Sequence, residues 1–351
     1  MERLHIAFFG AANSGKSTLV NTICGQEVSL VSPIPGTTTD PVRKLAELPH
    51  LGPCVLIDTA GLADESTLGA QRRRLTRAVL DETDVAVLLS DMPELVSDLE
   101  ASGIPYLRYT RGEPVDKLLE RISAVVPKEE ERFLTGTLVK ESDTVVLVMP
   151  QDSEAPKGRL ILPQVQVIRE LLDRGCVPHC CTPSSLQAAL DSLAGPPALV
   201  ITDSQVFKAV NDTIPSHWPL TSFSVLLAAA KGDVSVFTEG AHAIDSLKRG
   251  SRVLIAEACT HVPDTEDIGR VKIPAMLRKR VGEIRVDIAA GNDFPEDLSP
   301  YSLIIHCGAC VANARLVRSR IRKALLAGVP VTNYGMAIAA LTGILDRVSI
   351  P

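Results

Sequence analysis

A glycine-rich stretch near the N-terminus, Gly10-Ala-Ala-Asn-Ser-Gly-Lys16-Ser17, constrains this chain more than any other. It follows the apolar run His5 to Phe9 and precedes a helical pattern, the context in which Gly-x4-Gly-Lys-Ser forms a phosphate cradle. Small residues in a strand-to-helix turn let successive backbone N–H groups converge on phosphate oxygens at the helix N-terminus. Gly10, Asn13, Ser14, Gly15, Lys16, Ser17 and Thr18 are therefore the expected contacts to a nucleoside triphosphate. In that arrangement Lys16 neutralises the β and γ phosphates and the Ser17 hydroxyl ligates Mg²⁺.

Around this motif the pattern predicts an α/β fold of three α/β domains. At 351 residues the chain exceeds what one hydrophobic core ordinarily supports. Short β-rich runs at 5–9, 42–48, 54–57, 85–89 and 105–109 alternate with helical patterns, which implies a doubly wound, mostly parallel P-loop sheet over 1–127. The charged run Lys128-Glu-Glu-Glu-Arg132 reads as a linker. A small βαβ domain is expected over 128–217, with strands at 145–149, 176–181 and 198–202, ending at the breaker-rich Pro215-Ser-His-Trp-Pro219. The third domain spans 218–351, with strands at 252–256 and 303–305 and a helix over 313–326.

Charge narrows the function classes. A net charge of −6 argues against nucleic-acid binding, which needs clustered Lys and Arg on phosphates. No apolar run approaches the roughly 20 residues of a membrane helix, so no membrane association and a cytoplasmic location are expected. In a reducing compartment the 8 cysteines are not expected to pair as disulfides, which leaves some as candidate metal ligands.

Two further segments extend the phosphate motif. Asp58-Thr-Ala-Gly61 ends an apolar strand, as needed for an Asp that holds Mg²⁺ through water and a Gly N–H at the γ phosphate. Pro35-Gly-Thr-Thr-Thr-Asp40 is a threonine-rich loop able to close over Mg²⁺. Together the three resemble the translation-factor-related GTPases, in particular the tRNA-modifying and Era-like branch. That resemblance implies GTP, with Asn13 helping to hold a K⁺ ion, Thr38 ligating Mg²⁺, and Leu62 standing where other GTPases carry a water-orienting Gln. Slow hydrolysis assisted by the monovalent cation follows, with Lys16, Thr38 and Asn13 as the catalytic set. The branch reads guanine with Asn-Lys-x-Asp, which this sequence does not contain. Either Thr110-Arg-Gly-Glu113 is a degenerate version with Glu113 as the reader, or the strand bearing the motif has been deleted; both leave the sheet about one strand short.

The C-terminal third carries Cys259-Thr-His261 after one predicted strand and His306-Cys307-Gly-Ala-Cys310 after another, with 44 residues between the two histidines. Strand ends of a parallel sheet gather on one edge, so these side chains can converge. Three thiolates suit an iron-sulfur cluster with one iron open or held by a non-cysteine ligand, and they equally suit a Cys₃His zinc site. A nucleotide-switched regulator or RNA-modification GTPase with structural zinc is the corresponding alternative. Cys24, Cys54, Cys176, Cys180 and Cys181 fit helix and strand positions.

Cys-x-His, a 44-residue interval and His-Cys-x-x-Cys, downstream of a GTPase with the loop Gly36-Thr-Thr-Thr-Asp-Pro-Val42, resemble the FeFe-hydrogenase maturation GTPase family, HydF. The resemblance covers the whole chain. It implies a GTPase domain, a central dimerisation domain and a cluster-binding domain, with Cys259, Cys307 and Cys310 ligating a 4Fe-4S cluster and His261 or His306 near the exchangeable iron. It further implies a homodimeric scaffold and carrier that takes a transient 2Fe precursor from radical-SAM maturases and passes it to the apo-hydrogenase.

Overall fold

The computed structural model describes residues 3–25, 41–59, 76–126, 133–151, 157–258 and 267–351, Asn292 by its backbone alone. Two compact units emerge, Met1–Glu130 and Glu131–Pro351.

The first unit is built on β1 (Leu4–Phe9), α1 (Lys16–Ile23), β2 (Val42–Leu48), β3 (Gly52–Asp58), β4 (Val85–Leu88), α2 (Pro93–Ala101), β5 (Tyr106–Arg108) and α3 (Val115–Val125). Its five strands run in the order β2-β3-β1-β4-β5, all neighbours parallel except the hairpin pair β2 and β3. Alternate residues of β1 feed two separate cores, which makes the sheet doubly wound. Ile6 and Phe8 pack with Leu19 and Val20 of α1 and with Leu118 and Ile122 of α3. Ala7 and Phe9 pack with Leu95 and Leu99 of α2 on the other face. A strand buried on both faces must be apolar at every position, hence the unbroken Ile6-Ala-Phe-Phe9 run. Among the described residues the sheet stops at β5, a strand short as expected.

The second unit holds two fully parallel four-stranded sheets. The first joins β6 (Thr144–Val148), α4 (Leu162–Asp173), β7 (Val177–Cys181), α5 (Leu186–Asp191), β8 (Leu199–Thr202), α6 (Phe207–Thr213) and β9 (Leu220–Ser222), in the order β7-β6-β8-β9. After α7 (Phe223–Lys231) and α8 (Val234–His242) come β10 (Arg252–Glu257), α9 (Ile273–Val281), β11 (Arg285–Ala290), β12 (Leu303–His306), α10 (Ala314–Leu326), β13 (Val331–Asn333) and α11 (Tyr334–Leu341). The second sheet runs β11-β10-β12-β13.

Pro215–Pro219, read from sequence as a domain end, is the turn between α6 and β9, and the first sheet gains its fourth strand beyond it. The C-terminus then returns to β9, where Ser349 N donates to Leu220 O at 2.7 Å. Ala339 of α11 and Ile344 pack with Val146 and Val148 of β6, while Ala337 and Ile338 pack with the second sheet. One helix, apolar all round, thus serves both cores, so these sheets share a unit.

Candidate functional site

In the first unit the phosphate loop leaves β1 at Phe9 and returns at Lys16 through two left-handed residues, Asn13 (φ 59°) and Gly15 (φ 93°). At Gly10 any Cβ would meet Ser14 Oγ at 2.5 Å, so the first glycine is required by close packing within the loop. Lys16 is buried, and its Nζ donates to Gly10 O at 2.9 Å and Ala11 O at 2.8 Å. Burial lowers its pKa, with the nearby Asp58 carboxylate opposing that shift. Asp58 ends β3 in register with Phe8 of β1, which brings its carboxylate to the loop. Burial raises the Asp58 pKa, and a hydrogen bond from Ser17 together with Lys16 and Lys44 pulls the other way. Its Oδ1 is buried with no hydrogen-bond partner among the described residues. An orphaned buried carboxylate oxygen beside the Ser17 hydroxyl is a donor set that fits a hard divalent cation such as Mg²⁺. Thr38 and Gly61 lie outside the described residues, as do the Pro35–Asp40 loop and Leu62.

The turn after β5 bears on the two readings of the guanine reader. Both Glu113 carboxylate oxygens accept from Arg121 Nη1 of α3, at 2.8 and 2.9 Å, and Arg121 Nη2 donates to Arg108 O at 3.1 Å. The Glu113 side chain is only 8% exposed. Its charge is paired with Arg121 and both of its oxygens already accept from α3, which favours the deleted strand over the degenerate motif. Glu113→Gln is accordingly expected to leave the ratio of GTP to ATP affinity within about twofold of wild type, measured by competitive displacement of a fluorescent triphosphate; a site in which that carboxylate accepted from guanine would lose discrimination by orders of magnitude.

In the second unit the parallel order of β10, β12 and β13 places their C-terminal ends on one edge. Cys307 directly follows β12. Its Sγ accepts from Ala258 N at 3.1 Å and Ala309 N at 3.4 Å, and its own N–H donates to Ala256 O at 2.9 Å. The residue that leads into Cys259 therefore touches the Cys307 sulfur. Cys259 and His261 themselves lie outside the described residues. Backbone N–H groups aimed at sulfur stabilise thiolate over thiol, the state that binds a metal.

The loop from Cys307 to Ala312 is held from below by Lys231, the last residue of α7. Its buried Nζ donates to Ala309 O at 2.8 Å and Ala312 O at 2.7 Å, with Cys310 O at 3.4 Å. Ala309 adopts φ 49°, a left-handed conformation that such a clamp can hold in place. No local sequence pattern marks Lys231 for this role.

His306, with His261 one of two imidazoles expected near an open iron, sits at the end of β12 with both ring nitrogens engaged. The ring is 1% exposed, with Nδ1 at 2.8 Å from Cys307 O and Nε2 at 3.2 Å from Arg320 Nη1. Burial above all, then the Arg320 charge, lowers its pKa to about 3, so the ring is neutral. Arg320 can only donate, so Nε2 carries the lone pair and Nδ1–H donates to the carbonyl. Both nitrogens thus have protein partners in this structure. Arg320 is itself buried, donating to Glu257 O at 3.1 Å and Gly291 O at 2.5 Å. His306 and Arg320 thus lock the strand ends under the cysteine loop.

Around the same edge, Glu257 is buried and paired with Arg270 at 2.7 Å. Asp267 Oδ1 accepts from Arg270 N at 2.7 Å, capping the π-helical turn Ile268–Lys272. Among the described residues no three His, Cys, Asp or Glu side chains are gathered closely enough to hold a metal ion. With Cys259 outside them, the fit rests on the Cys307 sulfur geometry, the clamped loop and one orphaned polar atom: the buried Tyr334 phenol oxygen has no hydrogen-bond partner among the described residues. Soft thiolates in a tight loop with an unsatisfied donor nearby fit an iron-sulfur group.

Fold and site together define a P-loop nucleotide-binding domain followed by a double-sheet α/β unit that carries a cysteine loop at its strand ends. Comparison with known families resolves it further. A 50S ribosome-binding GTPase model matches residues 5–134, a hydrogen maturase F dimerization domain matches 134–232, and a hydrogen maturase F tetramerization domain matches 235–351. The last two together span more than half of the chain, which belongs to the hydrogen maturase F family and carries a GTPase domain.

Among curated proteins, GTPase Der of Clostridium tetani is 41% identical over 109 residues, covering 30% of this chain and 25% of that protein. GTPase Der of Clostridium acetobutylicum is 40% identical over the same length and shares. The chain spans about a quarter of the length of these curated relatives. Among solved structures, Era of Aquifex aeolicus bound to GDP·AlF₄⁻ is 17% identical, covering 84% of this chain and 97% of that one with a TM-score of 0.26. NFeoB of S. thermophilus, bound to GDP·AlF₄⁻ and K⁺, is 18% identical, covering 34% and 60% with a TM-score of 0.22. At such scores neither superposition bears on the sites. No described helix is long and apolar enough to cross a membrane.

Proposed function

We propose that this chain is a GTP-hydrolysing scaffold and carrier that holds a 4Fe-4S cluster and delivers a di-iron precursor to FeFe-hydrogenase. The observation that carries the reading is the meeting of the Cys307 sulfur with the chain segment entering Cys259, through the Ala258 N–H at 3.1 Å. Ala258, which follows β10, and Cys307, which follows β12, thereby meet at one sheet edge, inside a unit that matches both hydrogen maturase F domains.

In the nucleotide unit, Lys16 neutralises the β and γ phosphates, and Ser17 and Asp58 hold Mg²⁺, joined by Thr38. Asn13 serves a K⁺ ion that assists hydrolysis, since Leu62 cannot orient water. In the cysteine unit, Cys259, Cys307 and Cys310 would hold the cluster, which when bound supplies an exchangeable iron. His261 is the remaining imidazole for that iron, because His306 is committed to Cys307 O and Arg320. Lys231, Arg320 and His306 keep the loop shaped. The precursor is cargo, received from radical-SAM maturases and passed to the apo-hydrogenase. The dimerization and tetramerization domains make the carrier an oligomer, and a homodimer through the central sheet is the simplest assembly.

Anaerobic reconstitution of the full chain tests the reading. Iron and sulfide in equal amounts near four per chain, with an EPR signal on reduction, are expected for a 4Fe-4S group. One tightly held zinc with no iron or sulfide would overturn it in favour of a structural metal site.

A further inference from the structure

The phenol of Tyr334 is the unexplained polar group of the second unit. Tyr334 opens α11 immediately after β13, and its backbone is fixed by Asn333, whose Oδ1 accepts from Met336 N at 2.9 Å and whose Nδ2 donates to Ser224 O at 2.9 Å. The phenol oxygen reaches the π-helical turn at Gly269, where any Cβ would overlap it. A glycine there, in a helical form that is rare outside functional sites, makes the room the ring occupies. The oxygen is buried and makes no hydrogen bond to the described residues. His306 of β12 pairs in register with Asn333 of β13, so Cys307 and Tyr334 are the next residues at neighbouring strand ends. Burial, then Cys307, Glu257 and Asp267, raise the phenol's pKa, and Arg270 opposes them, so the hydroxyl stays protonated. Glu257 and Asp267 already accept from Arg270, and Cys307 Sγ already accepts from two backbone N–H groups.

A buried hydroxyl left unpaired costs about 1–3 kcal/mol, so a native chain keeps one where something else completes it. We propose that Tyr334 is a positioning residue that donates a hydrogen bond to a sulfur of the iron-sulfur group held at Cys307. This rests on the cluster reading above and adds to it a residue from a different strand end. A donor to cluster sulfur stabilises the more negative, reduced state, so it raises the reduction potential.

The test compares wild type, Tyr334→Phe and Gly269→Ala, each reconstituted anaerobically as full chain, by iron and sulfide content and by EPR-monitored redox titration. Tyr334→Phe is expected to retain the wild-type iron content while the ratio of reduced to oxidised cluster at a fixed potential falls about tenfold, equivalent to about 59 mV for a one-electron couple. Gly269→Ala, which drives the phenol away, is expected to shift the ratio in the same direction. Full iron content with an unchanged ratio and unchanged g values in Tyr334→Phe overturns the proposal. If Tyr334→Phe does not load, Gly269→Ala decides by the same criterion. Failure of wild type itself to take up iron and sulfide would instead reject the cluster reading.

Discussion

Lys16→Ala is expected to abolish nucleotide binding and to leave iron uptake untouched. The ammonium is buried and already aligned over the loop, donating to Gly10 O and Ala11 O at 2.9 and 2.8 Å. Desolvation works against its charge, and Asp58 only partly offsets this. A triphosphate entering the cradle supplies the missing counter-charge, so the bound state gains both the new ion contact and relief of that burial. Charge-assisted hydrogen bonds contribute about 1.5–3 kcal/mol, and the upper end corresponds to at least a hundredfold in affinity. Calorimetric titration with GTP and Mg²⁺ should therefore show no resolvable heat in the variant at concentrations that saturate wild type. Wild-type GTP affinity in Lys16→Ala would remove the phosphate site. Iron and sulfide should be unchanged, because the nucleotide unit and the cysteine unit each fold around their own cores.

How far the sequence foretold this arrangement depends on how local each signal is. The phosphate loop was legible because its glycines, lysine and serine sit within eight residues and the flanking strand is apolar at every position. Strands of four or more apolar residues, such as β1, β6 and β12, were found with small errors at their ends. The three-residue strands β9 and β13 were not, since Leu220-Thr-Ser and Val331-Thr-Asn carry no alternation and exist only through pairing with distant neighbours. Helix α11 escaped because Gly335 to Ala339 are all buried and present no polar face. At the cysteine loop the motif residues were visible, but their supports were not. Lys231 lies 78 positions from the carbonyl of Ala309 that it holds, and Arg320 lies 63 from that of Glu257. The partners of His306 were equally hidden, because Arg320, which meets its Nε2 at 3.2 Å, lies 14 positions away.

Cys307→Ser is expected to strip the cluster, and Lys231→Met to retain it but release it faster than wild type by loosening the loop. Serine preserves the shape of residue 307 but replaces a soft thiolate with a hydroxyl that stays protonated near neutral pH, so one of three iron ligands is lost while the fold should stand. Iron retained after gel filtration should fall at least tenfold, as it should for Cys310→Ser and Cys259→Ser. Lys231→Met acts differently. It keeps much of the buried side chain's apolar volume but leaves the carbonyls of Ala309 and Ala312 without their donor, at about 1–3 kcal/mol for each one not rescued by water. The left-handed Ala309 then has less to hold it. The variant should melt at lower temperature and lose iron to a chelator faster than wild type, although every thiol is present. Thiol substitutions that cost iron without a comparable loss of melting temperature, set beside a lysine substitution that costs both, would separate ligands from the frame that presents them. Unchanged iron content in all three serine variants would show that these cysteines do not hold the iron.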